Sequence, residues 1–95
     1  MAMPPLDLTL IQSLLTSKTV SNEITSANDL TTPGFYFVEN PNLGNLPATD
    51  WCHIFVNANT AKNHIVQICV PDKAASLWFR TKSAVGWSDW KTFIM

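Results

Sequence analysis

Ninety-five residues suffice for one domain, and a domain of that size buries only about two-thirds of the surface its unfolded chain exposes. The hydrophobic share of 46% is ordinary, whereas the charged share of 14% is well below the usual value of about 25%. A net charge of −1 with scattered cations lacks the clustered basic face that a phosphate backbone requires, and no apolar run approaches the ~20 residues of a membrane span; neither nucleic acid nor membrane insertion is expected.

The chain opens with Pro4-Pro5 and then LDLTLIQSLLTSK. Leu6, Ile11, Leu14 and Leu15 can share one helical face, although Leu8 and Leu10 fit an extended alternation equally well. Pro5 and Asp7 suit a first helical turn and Lys18 a last one, so a short amphipathic helix is expected through about Ser17. A helix of that length does not hold itself together in water. It must pack on the domain, on sister helices or on a larger assembly, which makes Leu6, Ile11, Leu14 and Leu15 candidate anchor residues. Residues 1–22 are accordingly taken as an N-terminal anchor segment and 23–95 as a β-rich domain.

Thr19 to Thr32 is polar, with Val20, Ile24 and Leu30 as its apolar anchors, and reads as a linker approaching the first strand. Phe35–Glu39 is the first strand after the Thr32-Pro33-Gly34 turn, and Asn40 to Asp50, with Pro41, Gly44 and Pro47, is a loop. Trp51–Asn57 places Cys52, Ile54 and Val56 opposite Trp51, His53 and Phe55, because strand side chains alternate. His64–Val70 is its expected antiparallel partner, and Pro71-Asp72-Lys73 turns the chain into Leu77–Lys82. That run sets Leu77, Phe79 and Thr81 against Trp78, Arg80 and Lys82. A connection judged too long for a two-residue turn, with Gly86 available for a positive φ, leads to a last strand at Trp90–Met95. The fold class is therefore mainly β: a small antiparallel sheet or sandwich-like knob of about five strands, preceded by the short helix.

The chemistry-bearing residues are sparse. Cys52 and His53 are neighbours on a strand, so their side chains leave on opposite faces and cannot share a metal without distortion. No second pair with ligand spacing supports them, and no cofactor is expected. The N-terminus lacks an export signal, which favours free thiols. No nucleophile, base and orienting group form a recognisable motif, so the chain does not read as an enzyme. Among the tryptophans, Trp87 and Trp90 can be turned back onto the sheet by Ser88-Asp89, and Trp90 is expected in the core against Leu77 and Phe79. The rival role is a saccharide platform, an exposed indole beside polar groups. Trp51, His53, Trp78 and Trp87 are the candidate partner or glycan surface.

Three stretches in a fixed order carry a resemblance. Asp29-Leu30-Thr31-Thr32-Pro33-Gly34-Phe35-Tyr36-Phe37-Val38 is an entry strand, His64-Ile65-Val66-Gln67-Ile68-Cys69-Val70 is a middle strand bearing Gln, and Trp78-Phe79-Arg80-Thr81 is followed by Gly86-Trp87-Ser88-Asp89-Trp90-Lys91. Together, from about Asp29 to Phe93, they resemble the knob module of phage tail fibres and R-type pyocin fibres. Trp51-Cys52-His53 and the N-terminal segment fall outside the pattern. The resemblance implies a virion structural protein made in the host cytoplasm: a small homotrimeric fibre knob presenting a surface to the bacterial envelope. Its expected partners are its own copies, another virion protein of the tail, collar or baseplate that holds the N-terminus, and a bacterial surface glycan. The alternative is a free-standing carbohydrate-binding, lectin-like domain.

Overall fold

The computed structural model describes residues 16–21, 23–40, 42–73 and 76–92. Seven strands form one mixed sheet: β1 (Lys18–Thr19), β2 (Gly34–Val38), β3 (Cys52–Ala58), β4 (Ile65–Pro71), β5 (Trp78–Ser83), β6 (Gly86–Trp87) and β7 (Lys91–Thr92). The spatial order is β1-β2-β3-β4-β5-β6, with β7 also on β5. β1 runs parallel to β2 and every other pairing is antiparallel. The mainly-β expectation holds. The sheet is mixed rather than wholly antiparallel, and three of its strands are only two residues long.

The expected N-terminal helix, with Leu6, Ile11, Leu14 and Leu15, falls almost wholly outside the described residues. Where the description begins, Thr16 and Ser17 are not helical, and Lys18, expected in a last helical turn, already lies in β1. Thr19 to Thr32 is also more ordered than a linker. Ser26 caps a 3₁₀ turn at Ala27–Asp29, accepting from the Asn28 N–H, and Ala27 and Leu30 are buried. Gly44 fixes this segment from the other side: its N–H donates to Thr25 O at 2.9 Å and its carbonyl accepts from Ala27 N–H at 2.8 Å. A Cβ on Gly44 would stand 3.1 Å from Thr25 O, so a side chain here would press the two backbones a few tenths of an ångström apart.

One face of the sheet, carrying Val38, Cys52, Ile54, Val56, Ile65 and Cys69, packs under Ala27, Leu30 and Leu43 to make the core. This is the inner face. Val20, Ile24, Leu46, Trp78, Trp87 and Trp90 border it, half-buried. The alternation Cys52/Ile54/Val56 against Trp51/His53/Phe55 is as the sequence pattern requires. Cys52 and Cys69 lie on this inner face as free, buried thiols. The Cys69 thiol is pushed far up, first by the neighbouring Cys52 thiol and then by burial.

The last hairpin is tighter than expected. Ser83 pairs with Gly86, leaving only Ala84 and Val85 in the turn, and Gly86 takes φ +107° to leave it. Beyond it the pairing slips by one. Lys82 faces Trp87 and Phe79 faces Lys91, so Thr81 and Arg80 are opposed by the three residues Ser88, Asp89 and Trp90. This one-residue bulge is stitched by Ser88, whose N–H donates to Thr81 O at 2.8 Å while its Oγ accepts from Thr81 N–H at 3.0 Å. In an unbroken strand Trp87 and Trp90 would leave on opposite faces. The extra residue returns both to the inner face.

Candidate functional site

Both indoles close on Arg80. Its guanidinium carbon sits 4.0 Å from the centre of the Trp87 ring and 4.6 Å from that of Trp90. Trp90 packs at the border of the core, but the expectation that it does so on Leu77 and Phe79 is corrected. Phe79 occupies the other face, and the partner of both indoles is the buried arginine. Each contact of this kind contributes about 0.5–2 kcal/mol, more as water is excluded.

Arg80 is 4% exposed, and among the described residues no carboxylate ion-pairs with it. Burial pushes its pKa down to about 10, which leaves the guanidinium charged at neutral pH. Its Nε donates to Gln67 Oε1 at 2.9 Å. Gln67, fully buried and in register with Arg80, donates through Nε2 to Ala27 O at 2.7 Å and Leu30 O at 2.9 Å. Trp90 Nε1 donates to Asn45 O at 2.8 Å, and Asn45 Nδ2 to Ser26 Oγ at 2.7 Å. One chain of polar contacts therefore runs from the 3₁₀ turn through β4 and β5 to the bulge and back to the loop that crosses the core. Arg80 Nη2 is buried without a hydrogen-bond acceptor, as the flanking π faces explain. Asn28 Oδ1 is also unpartnered, and nothing in its surroundings explains it. Sequence reasoning singled out neither Gln67 nor Arg80 as a site residue. The available signal was a lone Gln and a lone Arg at strand positions of inward parity.

The opposite, outer face is apolar and aromatic. Register aligns Phe35, Phe55, Ile68 and Phe79 in one row across four strands, and Phe37, His53 and Val70 in the next. Phe35 and Phe55 stack with ring centres 4.9 Å apart, and Phe37 lies 4.8 Å from His53 and 5.9 Å from Trp51. Trp51 is 47% exposed, and Phe35, Val66 and Val70 are exposed as well. Scattered apolar side chains on a surface need no explanation, but a contiguous apolar row on a small domain does.

The four candidate surface residues divide between these faces. Trp51 and His53 come together at the outer face, where the His53 ring also hydrogen-bonds the Ser17 hydroxyl at 3.3 Å. Trp78 is half-buried on the inner side, its Nε1 donating to Ser76 Oγ at 3.0 Å, and Trp87 stacks on Arg80. A cleft of about 340 Å³ opens beside the Trp87–Arg80–Trp90 stack, walled by Asn28, Asn45, Leu46, Ser88 and Asp89. Among the described residues no three His, Cys, Asp or Glu side chains gather where a metal could bind, and no helix is long and apolar enough to cross a membrane. The chain matches no protein-family model, no curated protein and no solved structure.

Proposed function

We propose that this chain is the small knob of a phage tail fibre or of a related phage-tail-like particle, a virion structural protein rather than an enzyme. The observation that carries the proposal is the convergence of the three stretches that bear the resemblance. Leu30 of the entry strand's approach, Gln67 of the middle strand, Arg80 of β5, and Trp87 and Trp90 of the bulge make one continuous set of buried contacts. Their spacing in the sequence thus has a physical purpose: together they lock the inner face of the sheet.

On this reading the knob is a homotrimer held on its particle through Met1–Asn22, with Leu6, Ile11, Leu14 and Leu15 as the apolar anchor. The low charge and the exposed aromatic face favour association over an isolated monomer. The surface turned to the bacterial envelope includes Trp51 and His53, and exposed indoles suit the apolar faces of a glycan. Sedimentation of the full chain at micromolar concentration tests the assembly: three copies are expected, and a stable monomer counts against it. Fluorescently labelled protein is expected to coat intact host cells. Trp51→Ala should reduce that coating while leaving the fold intact.

A further inference from the structure

The cleft beside the Trp87–Arg80–Trp90 stack gathers polar groups that the fold itself does not use. We propose that it binds one neutral sugar ring, at a site separate from the exposed Trp51 on the other face of the sheet. The first observation is a pair of orphans in its wall. Arg80, 4% exposed, carries Nη2 without an acceptor, and Asn28 carries Oδ1 without a donor. Both residues line the cleft, and among the described residues no other buried side-chain nitrogen or oxygen lacks a partner. The indoles offset the charge of the guanidinium, but they leave the Nη2 hydrogens without an acceptor. Native interiors leave few such groups, so two in one wall point to a ligand. Both atoms are covered in the free protein, and binding therefore requires the half-buried Asn28 side chain to rotate.

The second observation is the chemistry of the open part of the wall. Asp89 is exposed, and its carboxylate makes no hydrogen bond or ion pair among the described residues. Trp87 Nε1 is likewise without a partner there, whereas Trp90 Nε1 is taken by Asn45 O. The unused groups are thus acceptors on Asp89 and Asn28 and donors on Arg80 and Trp87. A hydroxyl both donates and accepts, so a ring bearing several of them can meet all of these groups while its C–H face lies on a half-buried indole. Arg80 and Asp89 carry opposite charges, which favours a neutral ligand over a phosphate or a sugar acid. Size agrees: about 340 Å³ stands at the small end of the ~300–1,000 Å³ of small-molecule sites, enough for a single ring. The inference does not rest on the fibre reading, since a fibre knob and a free-standing lectin would hold the sugar alike.

The test titrates the ¹⁵N-labelled full chain, one sugar at a time, with galactose, glucose, mannose, rhamnose and N-acetylglucosamine at millimolar concentrations. N-acetylneuraminic acid serves as the acidic comparison. At least one neutral sugar is expected to shift the nuclear magnetic resonances of the Trp87 indole N–H and of the Asn28 and Asn45 side-chain amides. Asp89→Ala should weaken that binding about tenfold or more, the loss expected for a hydrogen bond to a charged group, with Tm unchanged. Four results would each overturn the proposal: no shift with any neutral sugar, shifts confined to Trp51 and His53, tighter binding of the acidic sugar, or an Asp89→Ala variant that binds as the parent does.

Discussion

Replacing Gln67 by Leu keeps the volume and shape of the side chain while removing every polar contact that it makes. Gln67 is fully buried, so water cannot take over its three hydrogen bonds. Ala27 O keeps a partner, the Leu30 N–H at 3.1 Å. Leu30 O and Arg80 Nε lose the partners described above, and Arg80 Nη2 already lacks one. A buried orphan of this kind costs about 1–3 kcal/mol, and more when it belongs to a charged group. The two together amount to about 3–5 kcal/mol, a large part of the roughly 5–15 kcal/mol that holds a domain folded. For a chain of this size 1 kcal/mol moves Tm by about 4–8 °C, so Gln67→Leu should melt about 12–40 °C below the parent. Urea unfolding followed by tryptophan fluorescence gives the free energy directly. A variant within about 1 kcal/mol of the parent would refute the reasoning, because the orphaned groups would then have found other partners or water.

Arg80→Lys should destabilise by about 2–3 kcal/mol in the same assay, since an ammonium neither stacks flat between two indoles nor is easily stripped of water. Trp90→Ala removes one wall of that stack and the bond to Asn45 O, at a cost of about 3 kcal/mol, whereas Trp51→Ala, at an exposed position, should stay within about 0.5 kcal/mol. Cys52 and Cys69 should react with a thiol reagent only after denaturation, given their burial, and the double serine variant should still assemble, with stability reduced by about 1–3 kcal/mol. Deleting residues 1–15 should leave the sheet signal by circular dichroism and abolish attachment to particles.

The main strands were legible because alternation is a strong signal. Cys52/Ile54/Val56 against His53/Phe55 could be assigned to faces from the sequence, and each strand end fell within a residue or so of its place. That Ser88-Asp89 turns both Trp87 and Trp90 back onto the sheet was legible, but the device was not. Three apart in an unbroken strand they leave on opposite faces, and it is one extra residue opposite Thr81 and Arg80 that reunites them. Nor could the sequence announce that Arg80 is buried. A lone arginine on a strand reads as a solvated charge, and only the two indoles and Gln67 Oε1, brought from separate stretches, make its burial tolerable. The 3₁₀ turn at Ala27–Asp29 was hidden for a similar reason. Its polar composition reads as linker, while its order comes from Gly44 and Gln67, far away in sequence.

The most direct test of the fibre-knob proposal is the protein composition of purified particles. Phage or phage-tail-like particles from the strain that carries the gene would be banded to purity and quantified by mass spectrometry against the cell lysate. The account predicts this chain among the particle proteins, enriched with them through every step and present in a multiple of three copies per fibre. Its recovery only in the soluble lysate, with none in particles that are otherwise complete, would contradict the account and favour the free-standing lectin.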